Sequence, residues 1–487
     1  MSNPIKKLAG QTAIYGIPSI VGRFLNYLMV PLYIYKFKQT SDYGVVSELY
    51  AWVAFLVVFL TFGMETAFFR FIQNSEDKKK VFNNGFLTVI ILNILFFTSI
   101  VLFSNPIADT LLYSGHNEYI ILLGAVVCVD AISALPLAKL RAEEKAIKFA
   151  TIQSLSIVVN IGLTLILMLF FFDNNHPEEG VIYIFFANLC ASLMKPLFLF
   201  KDFLKVKLRF DKALAKEMVI YALPLMIGGL AGIVNETIDR ILLVHRLYEG
   251  TDASLLYAKS QVGIYSANYK LAMLVTILLQ AYRFAAEPFF FSQMKNEDKN
   301  TIYVRVMNYF VAVVCLVFLV VSVNVDFIKI AFIPNEAYWE GLKVVPILLL
   351  ANVFLGIYYN QSIWYKLSNH TRFGAYIAIM GALLTLFINY RFIPVYGYMA
   401  SAWATITVYA FQMIVSYFLG QKYYPIAYNV KRFLMYLGTA LGFYFITVWM
   451  NLKESSVQQF FVNNTIVIFY LILIYKIEKP QIKLKRG

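Results

Sequence analysis

The chain has 487 residues, of which 60% are hydrophobic, 17% are aromatic and only 14% are charged, and its mean hydropathy is +0.67. This composition excludes a soluble globular protein, because too few polar residues are present to cover its surface, and it indicates a polytopic membrane protein. The net charge of +14 lies in short loops between apolar runs, where membrane topology explains it. We therefore expect no nucleic-acid partner.

Fourteen apolar runs reach the roughly 20 residues that cross about 30 Å of hydrocarbon. They lie near 10–37, 43–69, 82–104, 118–138, 147–172, 180–200, 218–244, 262–290, 303–326, 341–362, 373–393, 396–420, 432–451 and 457–475. The expected fold is an all-α bundle of about 14 transmembrane helices. An even number of spans places both termini on one side of the membrane.

The Lys and Arg residues predict which side that is. With the N-terminus taken as cytoplasmic, 29 of the 42 lie in inner segments and only seven lie in outer loops. This bias follows the positive-inside rule. We therefore expect both termini to be cytoplasmic.

The first span carries Arg23 near its middle. A cation there costs at least about 2.5–3.5 kcal/mol on insertion scales unless it faces a polar cavity or a partner. Arg23 is thus expected either to bind an anionic cargo or to pair with Glu48 or Glu65 of the second span. By contrast, Lys195 and Lys343 lie close enough to span ends to snorkel to the interface.

Two motifs occur twice in the chain. Y-x-x-P-x-x-x-G and G-x-x-S-x-x-Y appear in the same order at Tyr15, Pro18, Gly22, Gly44, Ser47 and Tyr50, and again at Tyr221, Pro224, Gly228, Gly263, Ser266 and Tyr269. This order at equivalent places predicts a duplicated six-helix unit. Because six is even, both copies share one orientation, as in transporters whose site lies between two lobes.

The duplication predicts four segments. Residues 1–200 form an N-terminal lobe and 218–422 a C-terminal lobe, while 423–487 add a helix pair and a basic tail. The basic stretch 201–217 is expected to be a cytoplasmic linker that forms an interfacial amphipathic helix.

Several stretches then resemble a known family. TIDRILL at 237–243, VGIYSANYKLA at 262–272, DYGVVSELYAW at 42–52 and the Gly-Pro punctuation of the first span resemble Wzx-type polysaccharide and O-antigen flippases of the multidrug/oligosaccharidyl-lipid/polysaccharide (MOP) superfamily. The resemblance implies two lobes around a central cavity, two added helices and alternating access. It also implies an undecaprenyl-pyrophosphate-linked oligosaccharide as cargo, in the bacterial inner membrane, for lipopolysaccharide or other surface polysaccharide. A polysaccharide polymerase is an expected partner.

With the first two helices of each lobe turned inward, Arg23 would face Lys270 and Arg283 of the eighth span. Such cations, with Arg240, would bind a pyrophosphate, because guanidinium forks hold phosphate oxygens bidentately. Structural alternatives remain open, and they are pairs of Arg283 with Glu287, of Arg240 with Asp239 and Glu236, and of Lys270 with Glu236.

Four carboxylates fall inside or near spans and are candidates for coupling to an ion: Glu48, Glu65, Asp130 and Glu236. For Asp130, a helix-packing or hinge role is the preferred expectation. Three aromatic residues, Tyr15, Tyr27 and Tyr269, are candidates to stack on sugar rings, although most such residues only pack or line the lipid interface.

No catalytic residue, metal or cofactor is expected. The four histidines show no metal-ligand spacing, the three cysteines lie in apolar spans, and neither G-x-x-x-x-G-K-[ST] nor G-x-S-x-G occurs. The competing hypotheses are a multidrug exporter of the same superfamily, a lipid II flippase, a sugar transporter of the major facilitator class and a membrane glycosyltransferase.

Overall fold

The computed structural model describes residues 20–206, 209–294, 297–368, 370–450, 452 and 456–483. Within these ranges the long elements are all helices, and no strand occurs. The helices, numbered in chain order, are α1 20–36, α2 Thr40–Gln73, α3 Lys78–Leu102, α4 Asn117–Ala142, α5 Ala146–Phe171, α6 Pro177–Phe203, α7 Lys212–Leu247, α8 Asp252–Ser292, α9 Lys299–Val323, α10 Glu336–Leu367, α11 Arg372–Tyr396, α12 Tyr398–Tyr423, α13 Val430–Met450 and α14 Val457–Lys483.

The 13 helices α2 to α14 are long and apolar enough to cross a membrane. The prediction of an all-α polytopic fold is therefore confirmed. The predicted first span is described only from residue 20 onward, where α1 makes a turn at Met29.

Local sequence sets several helix ends. Asp77 accepts a hydrogen bond from the backbone N–H of Lys80 at the start of α3, and Asn335 accepts one from Ala337 at the start of α10. Side-chain acceptors of this kind satisfy amide groups that have no partner inside the helix. Inside α2, Phe62 and Gly63 adopt left-handed φ values of 53° and 63°, so the helix is interrupted there.

The stretch between α6 and α7 differs from its prediction. Residues 204–206 and 209–211 are not helical, whereas the ends of the stretch continue α6 and α7. The predicted interfacial helix over 201–217 is therefore wrong for the part that the structure describes. Asp211 explains the restart of the helix, because its carboxylate accepts from the N–H groups of Ala213 and Leu214 and pairs with Lys80 Nζ at 2.6 Å.

The contacts divide the chain into two compact units. Unit 1 comprises Met1–Gly263 with Asn389–Gly397, and unit 2 comprises Ile264–Ile388 with Tyr398–Gly487. The units are defined by contacts between residues and not by the repeated motifs. The predicted lobes 1–200 and 218–422 and the added segment 423–487 therefore stay a prediction.

Unit 1 is built on aromatic packing among α2, α3, α4 and α7. One hydrophobic core cluster of this unit contains Phe68, Phe82 and Phe86, with the last two rings stacked at 5.5 Å. Burial of such side chains contributes about 1.5–3 kcal/mol each in water, and inside a membrane their packing fixes how the helices meet.

Unit 2 contains a core in which α10 packs along α12. Trp364 is fully buried there, and its indole N–H donates to the Ser416 hydroxyl at 3.2 Å. In the same unit, α13 and α14 are joined by a buried carboxylate, since Glu478 accepts from the Tyr436 hydroxyl and pairs with Arg432 at 3.1 Å. The last two helices are thus attached to each other by polar contacts as well as by apolar ones.

Candidate functional site

The two glycines of the repeated G-x-x-S-x-x-Y motif meet inside unit 1, where α2 crosses the first turns of α8. A β-carbon on Gly44 would lie 1.9 Å from the backbone oxygen of Lys259, and one on Gly263 would lie 1.8 Å from that of Thr40. Real Cβ atoms essentially never approach other atoms below 3.0 Å. Only glycine permits this approach of the two backbones.

The contact is reciprocal. Thr40 precedes Gly44 by four residues, and Lys259 precedes Gly263 by four residues, so each glycine touches the carbonyl one turn before the other glycine. Each helix therefore contributes the same two positions to the crossing, a glycine and the carbonyl four residues before it.

A buried carboxylate lies one turn beyond Gly44 on α2. Glu48 is fully buried and accepts a 2.5 Å hydrogen bond from the hydroxyl of Tyr113, which follows the short helix Ser104–Thr110. Its other oxygen, Oε1, forms no hydrogen bond of normal geometry with a described residue, and the indole of Trp52 lies beside Glu48. Burial, and then the negative charge of Glu48, raise the pKa of the Tyr113 phenol, so this group keeps the proton that it donates.

Lys259 joins the same cluster from α8. Its Nζ donates to the carbonyl of Leu112 at 3.1 Å and lies 4.0 Å from the centre of the Tyr113 ring. A lysine above an aromatic face is attracted by the ring quadrupole, more strongly where water is excluded. Glu48, Tyr113 and Lys259 therefore connect α2, the segment before α4 and α8 beside the glycine crossing.

Sequence reasoning missed two of these three residues. Lys259 counts as an outer-loop cation when the eighth span is taken to begin at residue 262, but α8 begins at Asp252. Tyr113 lies in a loop that stands out only for lacking Lys and Arg. The doubled motif was the available signal, because it marks Gly44 and Gly263 as equivalent positions.

Arg23 lies on the exposed side of α1. Gly22 packs against Ile157 of α5, and Asn26 accepts a 3.5 Å hydrogen bond from Asn160, so these two residues mark the side of α1 that faces α5. The Arg23 side chain is exposed and makes no ion pair within the described ranges.

The acids that could have paired with Arg23 have other partners. Glu65 pairs with Arg141 of α4, and Glu48 bonds to Tyr113. The structural alternative for Arg23, a bridge to one of these two acids, is therefore wrong.

The predicted cations of α8 lie in unit 2. Arg283 is exposed, and its guanidinium lies 4.2 Å from the centre of the Tyr359 ring, while Lys270 is half-buried. The side chain of Glu287 lies outside the described part of the chain, so the alternative pair is not tested. The expectation that Arg23, Lys270 and Arg283 face one cavity joins residues of both units and stays a prediction.

Arg240 is buried in a local network of α7. Its Nη1 donates to Asp239 Oδ1 at 2.9 Å and to the backbone oxygen of Glu236 at 2.8 Å. The pair with Asp239 is one that the structural alternative predicts, whereas the contact with Glu236 involves its backbone and not its carboxylate. The Glu236 side chain is itself exposed, and its proposed role in ion coupling stays a prediction.

Asp130 is not isolated. It pairs with Lys195 Nζ at 2.7 Å and thereby links α4 to α6. The prediction that Lys195 snorkels to the interface is therefore wrong, since its side chain is only 16% exposed and faces a carboxylate. Lys343 is exposed and lies 5.2 Å from the centre of the Tyr398 ring.

The predicted sugar-stacking residues differ in exposure. Tyr27 is buried beside Phe24, Tyr269 is half-buried beside Tyr265, and Tyr15 lies outside the described residues. In the described ranges no group of three or more His, Cys, Asp or Glu residues could hold a metal ion.

A family model described as polysaccharide biosynthesis protein matches residues 9–294 of the chain. The matched stretch contains α1 to α8, with both glycines of the crossing and the Glu48 cluster. Protein 1 of the Lsg locus of Haemophilus influenzae is 20% identical over 297 residues, which cover 60% of this chain and 68% of that protein.

Two solved structures share the fold. One is the lipid II flippase MurJ in an inward closed conformation, with a TM-score of 0.70 at 16% identity over 95% of this chain and 98% of that one. The other is an inward-facing multidrug resistance MATE family transporter of the MOP superfamily, with a TM-score of 0.63 at 14% identity over 81% of this chain and 93% of that one. The family model thus confirms the predicted resemblance to a polysaccharide-biosynthesis family, and the two structures confirm the fold.

Proposed function

Because this chain belongs to the polysaccharide biosynthesis protein family, we propose that it is a flippase for a polyprenyl-pyrophosphate-linked oligosaccharide. The cargo would pass from the cytoplasmic to the outer leaflet by alternating access, and it would serve the synthesis of a surface polysaccharide such as O-antigen. No chemical step is required of the chain. The two solved structures that it resembles are themselves named as a flippase and a transporter.

The observation that carries the proposal is Arg23, which is exposed on α1, within the predicted first span, and makes no ion pair with any described residue. An arginine at this depth is unfavourable unless it meets water or an anion. A pyrophosphate supplies several acceptor oxygens to a guanidinium fork and offsets its charge. We assign Arg23 as a headgroup ligand, with Arg283 and Lys270 as further ligands. The role of Arg240 is to hold the local structure of α7.

The glycine crossing is the proposed outer gate. Residues 40–48 and 252–263 lie at the ends of α2 and α8 that the charge distribution assigns to the outside. A closed crossing there would prevent cargo from leaving outward. Because the contact consists of backbone atoms at two glycines, the helices can part without breaking side-chain interdigitation.

The Glu48 cluster, which consists of Glu48, Tyr113 and Lys259, is proposed to stabilise the closed state of this gate. Glu48 accepts a hydrogen bond from Tyr113, and Lys259 donates one to the carbonyl of the preceding Leu112. Separation of α2 from α8 would therefore expose the Glu48 carboxylate to water. We propose that uptake of a proton or a cation by the Glu48 carboxylate accompanies opening. We favour Glu48 over Asp130 and Glu65 for ion coupling, because each of the latter forms a direct ion pair, whereas Lys259 interacts with Glu48 electrostatically without forming a direct ion pair.

A transport assay tests the headgroup assignment. The full chain is reconstituted in liposomes with a fluorescent polyprenyl-pyrophosphate oligosaccharide, and arrival in the opposite leaflet is followed by chemical quenching. We expect Arg23→Gln to lower the rate by about tenfold or more, because a hydrogen bond to a charged group contributes about 1.5–3 kcal/mol. Arg391→Gln, which removes an exposed arginine in unit 1, is the matched control and should leave the rate unchanged.

Three outcomes would contradict the proposal. The first is equal flipping by Arg23→Gln and the wild type, which would remove the headgroup role of this residue. The second is wild-type transport of cationic dyes without flipping of the sugar lipid, which would indicate a multidrug exporter. The third is a preference for lipid II over other sugar-linked polyprenyl pyrophosphates, which would replace the proposed cargo.

The proposed location is the bacterial inner membrane with both termini in the cytoplasm. The excess of Lys and Arg in alternate loops supports it. A polymerase that receives the flipped oligosaccharide is the proposed partner, and protease accessibility of terminal tags in sealed vesicles measures the orientation.

A further inference from the structure

Unit 2 contains a cavity among α9, α10, α12 and α13 that the proposed transport cycle does not use. Its volume is about 220 Å³, and most of its walls are apolar, including Val311, Ile357, Ile414 and Phe433. The Ile414 side chain is 47% exposed, so the cavity opens toward the outside of the helix bundle. A space of this kind among membrane helices fits a hydrocarbon chain.

Two residues that line this cavity carry a buried polar atom without a hydrogen-bond partner among the described residues. The Gln361 residue is 5% exposed. Within the described residues, neither its Oε1 nor the Tyr428 hydroxyl forms a hydrogen bond. A buried polar group that lacks a partner destabilises a protein, so such groups usually meet water or a ligand. The hydroxyl can donate a hydrogen bond and the amide oxygen can accept one.

A second, more polar cavity adjoins the first. It has a volume of about 360 Å³, shares Asn308 with the apolar cavity, and is lined by Thr301 and Arg305 near the start of α9. Arg305 is half-buried and makes no ion pair with any described residue. No Asp or Glu lies among the described residues that line either cavity.

The polar groups lie at one end of the helices and the apolar walls lie deeper. At 1.5 Å per residue, Arg305 is about 9 Å from the start of α9 and Val311 is about 18 Å from it. The polar headgroup layer of a bilayer is about 5–8 Å thick on each side of the hydrocarbon. A phosphate beside Arg305 would therefore lie near the headgroup layer while an attached chain reached Val311.

We propose that the two cavities form one binding site for an anionic phospholipid of the surrounding bilayer. Arg305 and Thr301 bind its phosphate, the Tyr428 hydroxyl donates to an ester carbonyl, and one acyl chain fills the apolar cavity. A headgroup hydroxyl, as in phosphatidylglycerol, supplies a donor for Gln361 Oε1. Arg305 makes the site selective for negative charge, because a zwitterionic lipid carries a cation of its own beside the phosphate.

Native mass spectrometry of the detergent-purified full chain tests this site. The protein is stripped of lipid and titrated separately with phosphatidylglycerol and phosphatidylcholine, and the adducts are counted. We expect one phosphatidylglycerol molecule to bind at least about tenfold more tightly than phosphatidylcholine. Arg305→Gln should abolish that preference, and Ile414→Trp, which fills the apolar cavity, should weaken binding of both lipids.

Arg372→Gln is the matched control, because it removes an exposed arginine of the same unit outside both cavities. Thermal unfolding of each variant in lipid-free detergent checks its fold. If Ile414→Trp does not fold, Gln361→Leu replaces it, and we expect that variant to weaken phosphatidylglycerol binding.

Four results would overturn the proposal. The first is equal affinity for the two lipids, and the second is an equal loss of phosphatidylglycerol binding in Arg372→Gln. The third is the absence of any retained lipid, which would leave water as the occupant. The fourth is one-for-one displacement by polyprenyl phosphate, which would assign the site to the cargo. Because binding is measured without transport, this test is independent of the flippase assay.

Discussion

Replacing Gly263 by alanine tests the backbone crossing of α2 and α8 directly. The new methyl group would lie 1.8 Å from the carbonyl oxygen of Thr40. Since real Cβ atoms do not come closer than 3.0 Å, the two helices must separate by about 1.2 Å. Overpacking of this kind destabilises a protein by about 1–3 kcal/mol.

Gly442→Ala is the matched control for this substitution. Gly442 lies inside α13, and nothing lies within 4 Å of the position of its β-carbon. Alanine at either position gains about 1 kcal/mol of helix propensity. The difference between the two variants therefore isolates the clash, and we expect Gly263→Ala to be less stable by about 1–3 kcal/mol.

Reversible unfolding in mixed micelles, followed by tryptophan fluorescence, measures the two free energies. Gly44→Ala should behave like Gly263→Ala, because its β-carbon meets the carbonyl of Lys259 at 1.9 Å. The double variant should be destabilised by less than the sum of the two, since a separation that admits one methyl group also admits most of the other. Equal stability of Gly263→Ala and Gly442→Ala would refute the close crossing.

Three further predictions concern polar contacts. Tyr113→Phe removes the donor to buried Glu48 and should lower the free energy of unfolding by about 1–3 kcal/mol, whereas Tyr257→Phe at an exposed site should not. A double-mutant cycle of Asp130→Asn and Lys195→Met should give a coupling energy of about 0.5–3 kcal/mol, and additive effects would contradict the ion pair. Lys80 and the helix N–H groups hold the pKa of Asp211 below its ordinary 3.8. The carboxylate therefore stabilises the start of α7 above pH 3.8, and this stabilisation is lost as the pH falls through the folded-state pKa. The protection of the amides in the first turn of α7, relative to their intrinsic exchange rate at the same pH, should therefore decrease at low pH in the wild type and already be low at neutral pH in Asp211→Asn.

The membrane helices were predictable because hydrocarbon thickness alone requires their length. The predicted runs 43–69 and 180–200 show this, since they lie inside the observed helices Thr40–Gln73 and Pro177–Phe203 and polar residues determine only the ends. The stretch 201–217 was mispredicted because its basic residues resemble an interfacial helix. The competing signal was Asp211, which caps the start of α7.

The pairing of polar side chains was not predictable from local sequence. Asp130 and Lys195 are 65 residues apart, and nothing near either one indicates the other. Likewise, Lys259 reaches Tyr113 only because α8 begins at Asp252, earlier than its apolar residues suggest. Helix boundaries shifted by two or three turns change which side chains can meet, and a single sequence does not fix them that closely.

The reciprocal glycine contact has a consequence for how the chain originated. In an interface between identical subunits related by a two-fold axis, residue i of one subunit touches residue j of its partner and the reverse contact also exists. Gly44 with Lys259 and Gly263 with Thr40 reproduce that pattern within one polypeptide. A half-length ancestor with one such glycine could have dimerised through it, and gene fusion would then have freed each copy to acquire its own neighbour, Glu48 on one side and Ala267 on the other.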